Sequence, residues 1–298
     1  MPEQKTGRSG VIHDIGFRHY EGDRRGRAWI TRSLMWETYR GVFGIGRPTG
    51  SKIMPAVLGF ILLIPMIVSG IALLLFSEGA LIASYHSHAI EMAFMVFLLA
   101  ALAAPYAVSK DLRNGVMPLY LSRPFERADY VWAKFFGLTL GIFTILAMPQ
   151  LLLYSLALLG ELPAWENTVD FAGGLTVALL VSATVSAIAL ALASFVTRRG
   201  AGTAAIVVTF LMLAAMGGIF GGLAREQGDD VAAGYLNGLD PFALINAVQK
   251  TWLGGSNAAD YPPTEGTGAA LIMLGWLVAL VGLALLLLHR RYRKVGAA

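Results

Sequence analysis

The sequence predicts an all-α fold, a polytopic membrane protein with six transmembrane helices and an N-terminal interfacial amphipathic helix. The first observation is composition: 56% of the 298 residues are hydrophobic and only 14% are charged, whereas soluble domains average roughly 45–50% apolar and about 25% charged residues. The second is a set of six long apolar runs, and the third is a one-sided distribution of Lys and Arg between them. Lipid is therefore the expected solvent for much of the chain.

The N-terminal segment, residues 1–52, is polar and basic, and the first long apolar run begins near Met54. A secretory signal peptide would need an apolar core within about the first 15–30 residues, so we expect an uncleaved cytoplasmic segment. Positions 26–44 predict a helix lying in the membrane interface, because large apolar side chains share one sector at helical periodicity: Trp29, Met35, Trp36, Tyr39 and Phe43. The alternative is a helix docked on a soluble domain, for which no other segment supplies the residues.

Six apolar stretches are long enough to cross a bilayer, which needs about 20 residues of helix. They predict a transmembrane domain over 53–289 and a basic tail over 290–298, with spans at 54–76, 91–109, 135–159, 171–196, 201–223 and 269–288. These spans carry no Lys, Arg or Asp, and Glu91 lies at the lip of the second. Since ion and proton pathways use intramembrane ionisable groups, this pattern disfavours an ion-coupled carrier or an intramembrane protease.

The direction of the spans follows from the basic residues, which concentrate in cytoplasmic connections. With the N-terminus inside, the cytoplasmic segments 1–53, 110–134, 197–200 and 289–298 hold ten, five, two and four of the 23 Lys and Arg residues. The other two are Arg225 and Lys250, in an outer loop over 225–268. Both termini are therefore expected in the cytoplasm.

Small residues recur at a spacing of four in the fourth and fifth spans, which lets helices approach closely. The faces are formed by Ser182 and Ser186, Gly217 and Gly221, and Gly218 and Gly222. Packing within the bundle is the favoured interpretation, and an interface with a second subunit is the alternative.

Two motifs resemble chemical sites without meeting their requirements. The segment GIGRPTGSK, residues 44–52, lacks the GxxxxGK[ST] spacing and the preceding strand of a phosphate-binding loop. His86, His88 and Glu91 could hold a metal only with a further ligand, so an interfacial polar cluster is the favoured interpretation. We expect no enzyme activity and no cofactor or metal in this chain.

The outer loop contains a helix signal of its own. Asp240 and Pro241 are typical of an N-cap and a first helical position, and apolar residues then recur at helical spacing up to Trp252. The prediction is an amphipathic helix on the outer membrane surface, with an outer gate that dips into the bundle as the alternative.

The cytoplasmic loop over 110–134 carries the most specific pattern. An acidic residue, a glycine, LSRP, a basic residue and an aromatic-x-x-Lys leading into a span follow one another, at Asp111, Gly115, Leu121, Ser122, Arg123, Pro124, Arg127, Tyr130 and Lys134. This pattern resembles the type-2 ABC exporter permease family, as do the six spans, the interfacial helix and the long outer loop. The opening segment 11–30 is similar to that of actinobacterial members.

The resemblance implies a permease in a bacterial cytoplasmic membrane, surrounded by lipid and paired with a second permease, identical or homologous. It also implies two separate ABC ATP-binding subunits that bind ATP and Mg, and no nucleic-acid partner. The loop residues above, with Arg113, would then couple the ATPase to the bundle, and their arginines would pair with partner carboxylates. The alternatives are a non-transporting scaffold or sensor subunit and, less favoured, an ion-coupled carrier.

Overall fold

The structure, a computed structural model, describes residues 26–76, 83–116, 119–120, 122, 125–196, 198–254 and 266–294. Regular secondary structure in these ranges is helical, in agreement with the predicted class. The elements in chain order are α1 (Arg27–Val42), α2 (Gly50–Phe76), α3 (His88–Glu91), α4 (Ala93–Ala107), α5 (Ser109–Arg113), α6 (Arg127–Leu159), α7 (Ala164–Phe195), α8 (Arg199–Glu226), α9 (Asp230–Asn237), α10 (Pro241–Trp252) and α11 (Thr267–Lys294).

Six helical segments in the described part of the chain are long and apolar enough to cross a membrane: α2, α4 with α5, α6, α7, α8 and α11. The prediction of six spans is confirmed. Most of the helices are longer than the predicted apolar runs, because they continue into polar residues beyond the hydrocarbon region of the membrane. The loop predicted over 110–134 accordingly contains α5 at its start and the first two turns of α6 at its end.

The helices alternate in direction and so define two ends of the bundle. One end, here called the basic end, holds α1, α5, the starts of α2, α6 and α8, and the final turns of α7 and α11. It carries most of the described Lys and Arg residues. The opposite end, here called the acidic end, holds α3, α9 and α10.

The core of the bundle centres on α7, which contacts α4, α6, α8 and α11. Its sequence over 187–194 is mostly Ala, Leu and Ser, and small side chains let neighbouring helices approach closely. Ser182 and Ser186 are fully buried within this single chain, and the Ser182 hydroxyl donates to the Ala178 carbonyl at 2.7 Å. This face packs inside the bundle.

Helix α1 packs across α6 through a row of residues that differs from the predicted apolar sector. The buried residues are Leu34, Thr38, Gly41 and Val42, whereas Trp29 and Trp36 of the predicted apolar sector are 46% and 55% exposed. Met35, Tyr39 and Phe43 lie between these extremes. The reason is steric: the side of α1 that meets α6 needs small and β-branched side chains, so the large aromatic residues are left on the outer flank.

Two glycines of α6 make this close approach possible. A Cβ atom on Gly137 would lie 2.6 Å from the Met35 carbonyl oxygen, and one on Gly141 would lie 2.5 Å from Cγ2 of Val42. No side chain fits at either position without displacing α1.

The acidic end differs from its prediction in one respect. Helix α10 begins where expected, at Pro241, and the Asp240 carboxylate accepts a hydrogen bond from the Phe242 amide at 2.9 Å. Residues 241–249 are all buried, however, against α7 and α11 among others, so the interpretation as a surface helix is wrong. The sequence PFALINAV leaves little polar surface for water, and the bundle covers it.

Helix α9 was not anticipated, because eight residues are too few to show a periodicity. Its start is capped by Asp229, whose carboxylate accepts from the Ala232 amide at 2.9 Å. The position of α9 distinguishes the two glycine pairs of α8. Gly217 and Gly221 lie against α9, whereas Gly218 and Gly222 face open space.

Candidate functional site

A buried ion pair lies at the basic end, where α5 meets the start of α6. Lys134 Nζ is 3.1 Å from Asp111 Oδ2, and the two side chains are only 5% and 13% exposed. Removing two charges from water is costly unless they pair and find further hydrogen bonds. The sequence pattern included both residues but did not show that they are in contact, since they are 23 positions apart.

Two tyrosines extend the pair to α11. The Tyr130 hydroxyl donates to Asp111 Oδ2 at 2.8 Å, and the Tyr292 hydroxyl donates to the Tyr130 oxygen at 3.4 Å. Both tyrosines are fully buried, and their ring centroids are 4.7 Å apart. Asp111 is thus held by a cation and a hydroxyl from α6, and the last turns of α11 are attached to the same group.

Further polar contacts attach α7 to this cluster. The Ser109 hydroxyl of α5 donates to the Ala193 carbonyl at 2.9 Å, and Arg291 Nε of α11 donates to the Ser194 carbonyl at 3.3 Å. These bonds satisfy carbonyl groups in the last turn of α7, which have no partner within their own helix. The end of the fourth span is therefore fixed to both α5 and α11.

Helix α1 is attached by an arginine that sequence reasoning did not select. Arg27 binds Asp129 with two parallel bonds, Nε to Oδ2 at 2.7 Å and Nη2 to Oδ1 at 2.9 Å. A third bond joins Nη1 to Glu126 Oε1 at 2.6 Å. The hydrogen bonds to Asp129 and then to Glu126 raise the pKa of the Arg27 guanidinium above its ordinary value. Planar, bidentate pairing of this kind fixes orientation as well as distance.

Asp129 and Glu126 also form the N-terminal cap of α6. The Asp129 carboxylate accepts from the Glu126 amide at 2.9 Å, and the Glu126 side chain accepts from the amide of residue 129. This reciprocal arrangement satisfies two amides that the first turn leaves free. An acidic residue followed three positions later by another, before an apolar run, was the available signal in the sequence.

The remaining predicted loop residues are distributed around this cluster. Gly115 has φ +62, which ends α5 in the left-handed conformation that glycine adopts readily. Ser122 is exposed, and its hydroxyl donates to the Leu119 carbonyl at 2.9 Å. Arg113 is exposed and Arg127 is partly buried. Leu121, Arg123 and Pro124 lie outside the described residues.

Neither Arg113 nor Arg127 forms an ion pair with another residue that the structure describes. Arg127 has its Nε atom buried without a hydrogen-bond partner in the same part of the chain. These two arginines therefore stand apart from Arg27 and Lys134, whose charges are already matched within the chain.

The histidines at the acidic end have separate surroundings from Glu91. His86 and His88 are buried, and desolvation lowers the pKa of both side chains, that of His88 to about 4. Glu91 is exposed. No group of three or more His, Asp or Glu side chains in the described ranges is arranged to hold a metal ion. The protein covers the two histidines, and the interpretation as an interfacial polar cluster stays a prediction.

Six apolar spans in the described part of the chain define a multi-pass membrane protein rather than a soluble domain. A family model described as ABC-2 family transporter protein matches residues 65–293. The chain belongs to the ABC-2 family of transporter proteins, whose members are transmembrane permeases that generally work with ATP-binding subunits. A comparison with curated proteins found no match.

Proposed function

We propose that this chain is the permease subunit of an ATP-driven exporter, with a translocation path between it and a second permease, identical or homologous. Two ABC ATP-binding subunits would bind at the basic end and would carry ATP and Mg. The family match supports an ABC transporter permease. The export direction, the partner copies and an actinobacterial origin, suggested by residues 11–30, are parts of the proposal.

The observation that carries the proposal is the polar cluster at the basic end. Asp111, Lys134, Tyr130 and Tyr292 join α5, α6 and α11, and Arg27 joins α1 to α6. Helices whose ends are joined by several polar bonds are expected to move as a unit. A partner that pushes on α1 or α5 would therefore displace the spans behind them, rather than bend a loop.

The contact with the ATP-binding subunit would use the arginines that form no ion pair among the described residues. Arg113 and Arg127 offer guanidinium groups to partner carboxylates, and Arg123 belongs to the same stretch of sequence. The orientation of the chain in the membrane agrees with this contact, because the basic end would face the cytoplasm under the positive-inside tendency. Both chain termini would then be cytoplasmic.

The second permease would pack against α8. Its outer face carries Gly218 and Gly222 beside exposed apolar side chains such as Ile219 and Phe220. Glycines on an exposed membrane face let another helix approach closely.

The test is co-purification of an ABC ATP-binding protein expressed together with the chain. Charge reversal in Arg113→Glu/Arg127→Glu should abolish its retention, because carboxylates on the partner would meet like charges. Arg225→Glu is the matched control, since Arg225 lies in the acidic half of the described structure and pairs only with exposed Asp230 at 3.8 Å. Unchanged retention and unchanged ATPase activity in a double variant of normal thermal stability would contradict the proposal.

A further inference from the structure

A groove with a volume of 470 Å³ lies on the outside of the bundle between α2 and α6, with Phe43 closing one side. The residues that line it are apolar except for Thr144 and Lys52. The Thr144 hydroxyl is already engaged, since it donates to the Leu140 carbonyl at 2.8 Å and lies 3.4 Å from the Tyr39 hydroxyl. The groove is therefore suited to an apolar occupant along most of its length.

The length of the groove matches one leaflet of a bilayer. Its lining on α2 runs from Lys52, in the first turn, to Leu63, which is about 16 Å of helix at about 1.5 Å per residue. Half of a hydrocarbon core is about 15 Å thick. The mouth at Lys52 lies at the basic end of the bundle, and the far end approaches the middle of the span, so a single acyl chain would extend along the groove.

The charge at the mouth selects the head group. Lys52 is exposed and forms no ion pair with any residue in the described ranges. It stands in the first turn of a membrane-spanning helix, where a lysine lies at the level of lipid phosphates. A cation at that level attracts anionic lipid over zwitterionic lipid.

The shape of the groove is set by Gly59. A Cβ atom there would have Ile145 Cγ2 at 4.0 Å as its nearest neighbour, so the space beside it is open rather than filled by a partner side chain. Open apolar space that faces lipid, is one leaflet long and ends at a cation fits an acyl chain with an anionic head group.

We propose that this groove binds an anionic phospholipid of the leaflet at the basic end, with an acyl chain along α2 and α6 and the phosphate at Lys52. The site does not depend on transport or on an ATP-binding partner. It does add a lipid contact beside Phe43, at the end of α1.

The test uses the purified full-length chain in vesicles that contain a trace of photoactivatable lipid with a diazirine in its acyl chain. Phosphatidylglycerol and phosphatidylcholine carrying the same chains are compared, and labelled peptides are mapped by mass spectrometry. We expect phosphatidylglycerol to label residues 55–63 and 144–149 in preference to the exposed face of α11. Equal labelling by both lipids, or equal labelling of both surfaces, would overturn the proposal.

Two variants separate the head group from the chain. Lys52→Gln should lower labelling of the groove by phosphatidylglycerol roughly fivefold and leave phosphatidylcholine unaffected. Gly59→Leu should fill the groove and lower labelling by both lipids. If Gly59→Leu does not fold, Ala56→Leu narrows the same groove from an exposed position.

The matched controls lie outside the groove. Arg198→Gln removes another exposed cation at the basic end, and Gly282→Leu adds the same side chain to α11 at a position with nothing within 4 Å. Both should leave the labelling unchanged. An effect of Arg198→Gln equal to that of Lys52→Gln would mean that general surface charge attracts the lipid, and the assigned site would be wrong.

Discussion

At the residue scale, the stability of the basic end depends on both members of its ion pair being present. The Lys134 side chain, in the second turn of the membrane-spanning helix α6, is 5% exposed and lies 3.1 Å from Asp111. Such a pair adds little net stability compared with apolar side chains of equal size, but either charge alone would be strongly unfavourable. This asymmetry makes the pair testable.

Lys134→Met should lower the free energy of unfolding by about 3–5 kcal/mol, because the Asp111 carboxylate would remain buried without its cation. The double variant Lys134→Met/Asp111→Leu should recover much of that loss. Unfolding in mixed detergent micelles measures both. Arg225→Met is the control, since its exposed pair should contribute less than about 1 kcal/mol. A neutral Lys134→Met variant would contradict the buried-pair argument.

His88 should make stability depend on pH at the acidic end. Burial lowers its pKa from the ordinary 6.5 to about 4, so the unfolded chain takes up a proton before the folded one does. Stability is complete above about pH 6.5 and falls as the pH drops towards 4, by about 3 kcal/mol in all. His88→Asn should reduce this pH dependence and leave the part that His86 contributes, since burial lowers the pKa of His86 as well. An unchanged slope in the variant would assign the effect to other groups.

At the scale of elements, the contact between α1 and α6 shows how a short helix is held without a large apolar face. Small residues on both helices bring the backbones together, and Arg27 fixes the start of α1 through Asp129 and Glu126. The periodicity of the sequence indicated a helix here. It placed the aromatic sector in the membrane interface and did not show which residues face α6, because that contact depends on which helix lies beside α1.

Gly137→Ala should weaken this contact, because its Cβ would lie 2.6 Å from a backbone carbonyl that cannot rotate away. We expect faster labelling of a cysteine placed at buried Leu34 and a loss of thermal stability. Gly282→Ala is the control, and it should be neutral or stabilising by up to about 1 kcal/mol, since alanine favours helix over glycine. Equal behaviour of the two variants would mean that α1 is not held by close packing.

At the scale of the whole molecule, the distribution of charge between the two ends sets the orientation in the bilayer. The basic end is expected inside, by the positive-inside tendency. Because the chain has no cysteine, single cysteines can be introduced without a background reaction.

Ser122→Cys and Gln227→Cys place exposed thiols at opposite ends of the bundle. In intact cells, a membrane-impermeant maleimide should label Gln227→Cys, and it should label Ser122→Cys only after the membrane is opened. Labelling of Ser122→Cys in intact cells would mean that the basic end faces outward, which would contradict the proposed contact with a cytoplasmic ATPase.

The sequence by itself determined the features that depend only on residues close together along the chain. Six spans and the start of α10 at Pro241 follow from hydropathy and an N-cap signal, which act over a few residues. The loop that carries Asp111, Tyr130 and Lys134 was also found, through its likeness to a family.

Only the tertiary structure decided which of these residues meet. Tyr292 reaches Tyr130 across 162 positions, α9 covers Gly217 and Gly221 but leaves Gly218 and Gly222 open, and α10 is buried rather than superficial. Helical periodicity states which residues share a side of one helix. Which neighbour that side faces depends on how all the helices fill space together, and that is a property of the packed bundle.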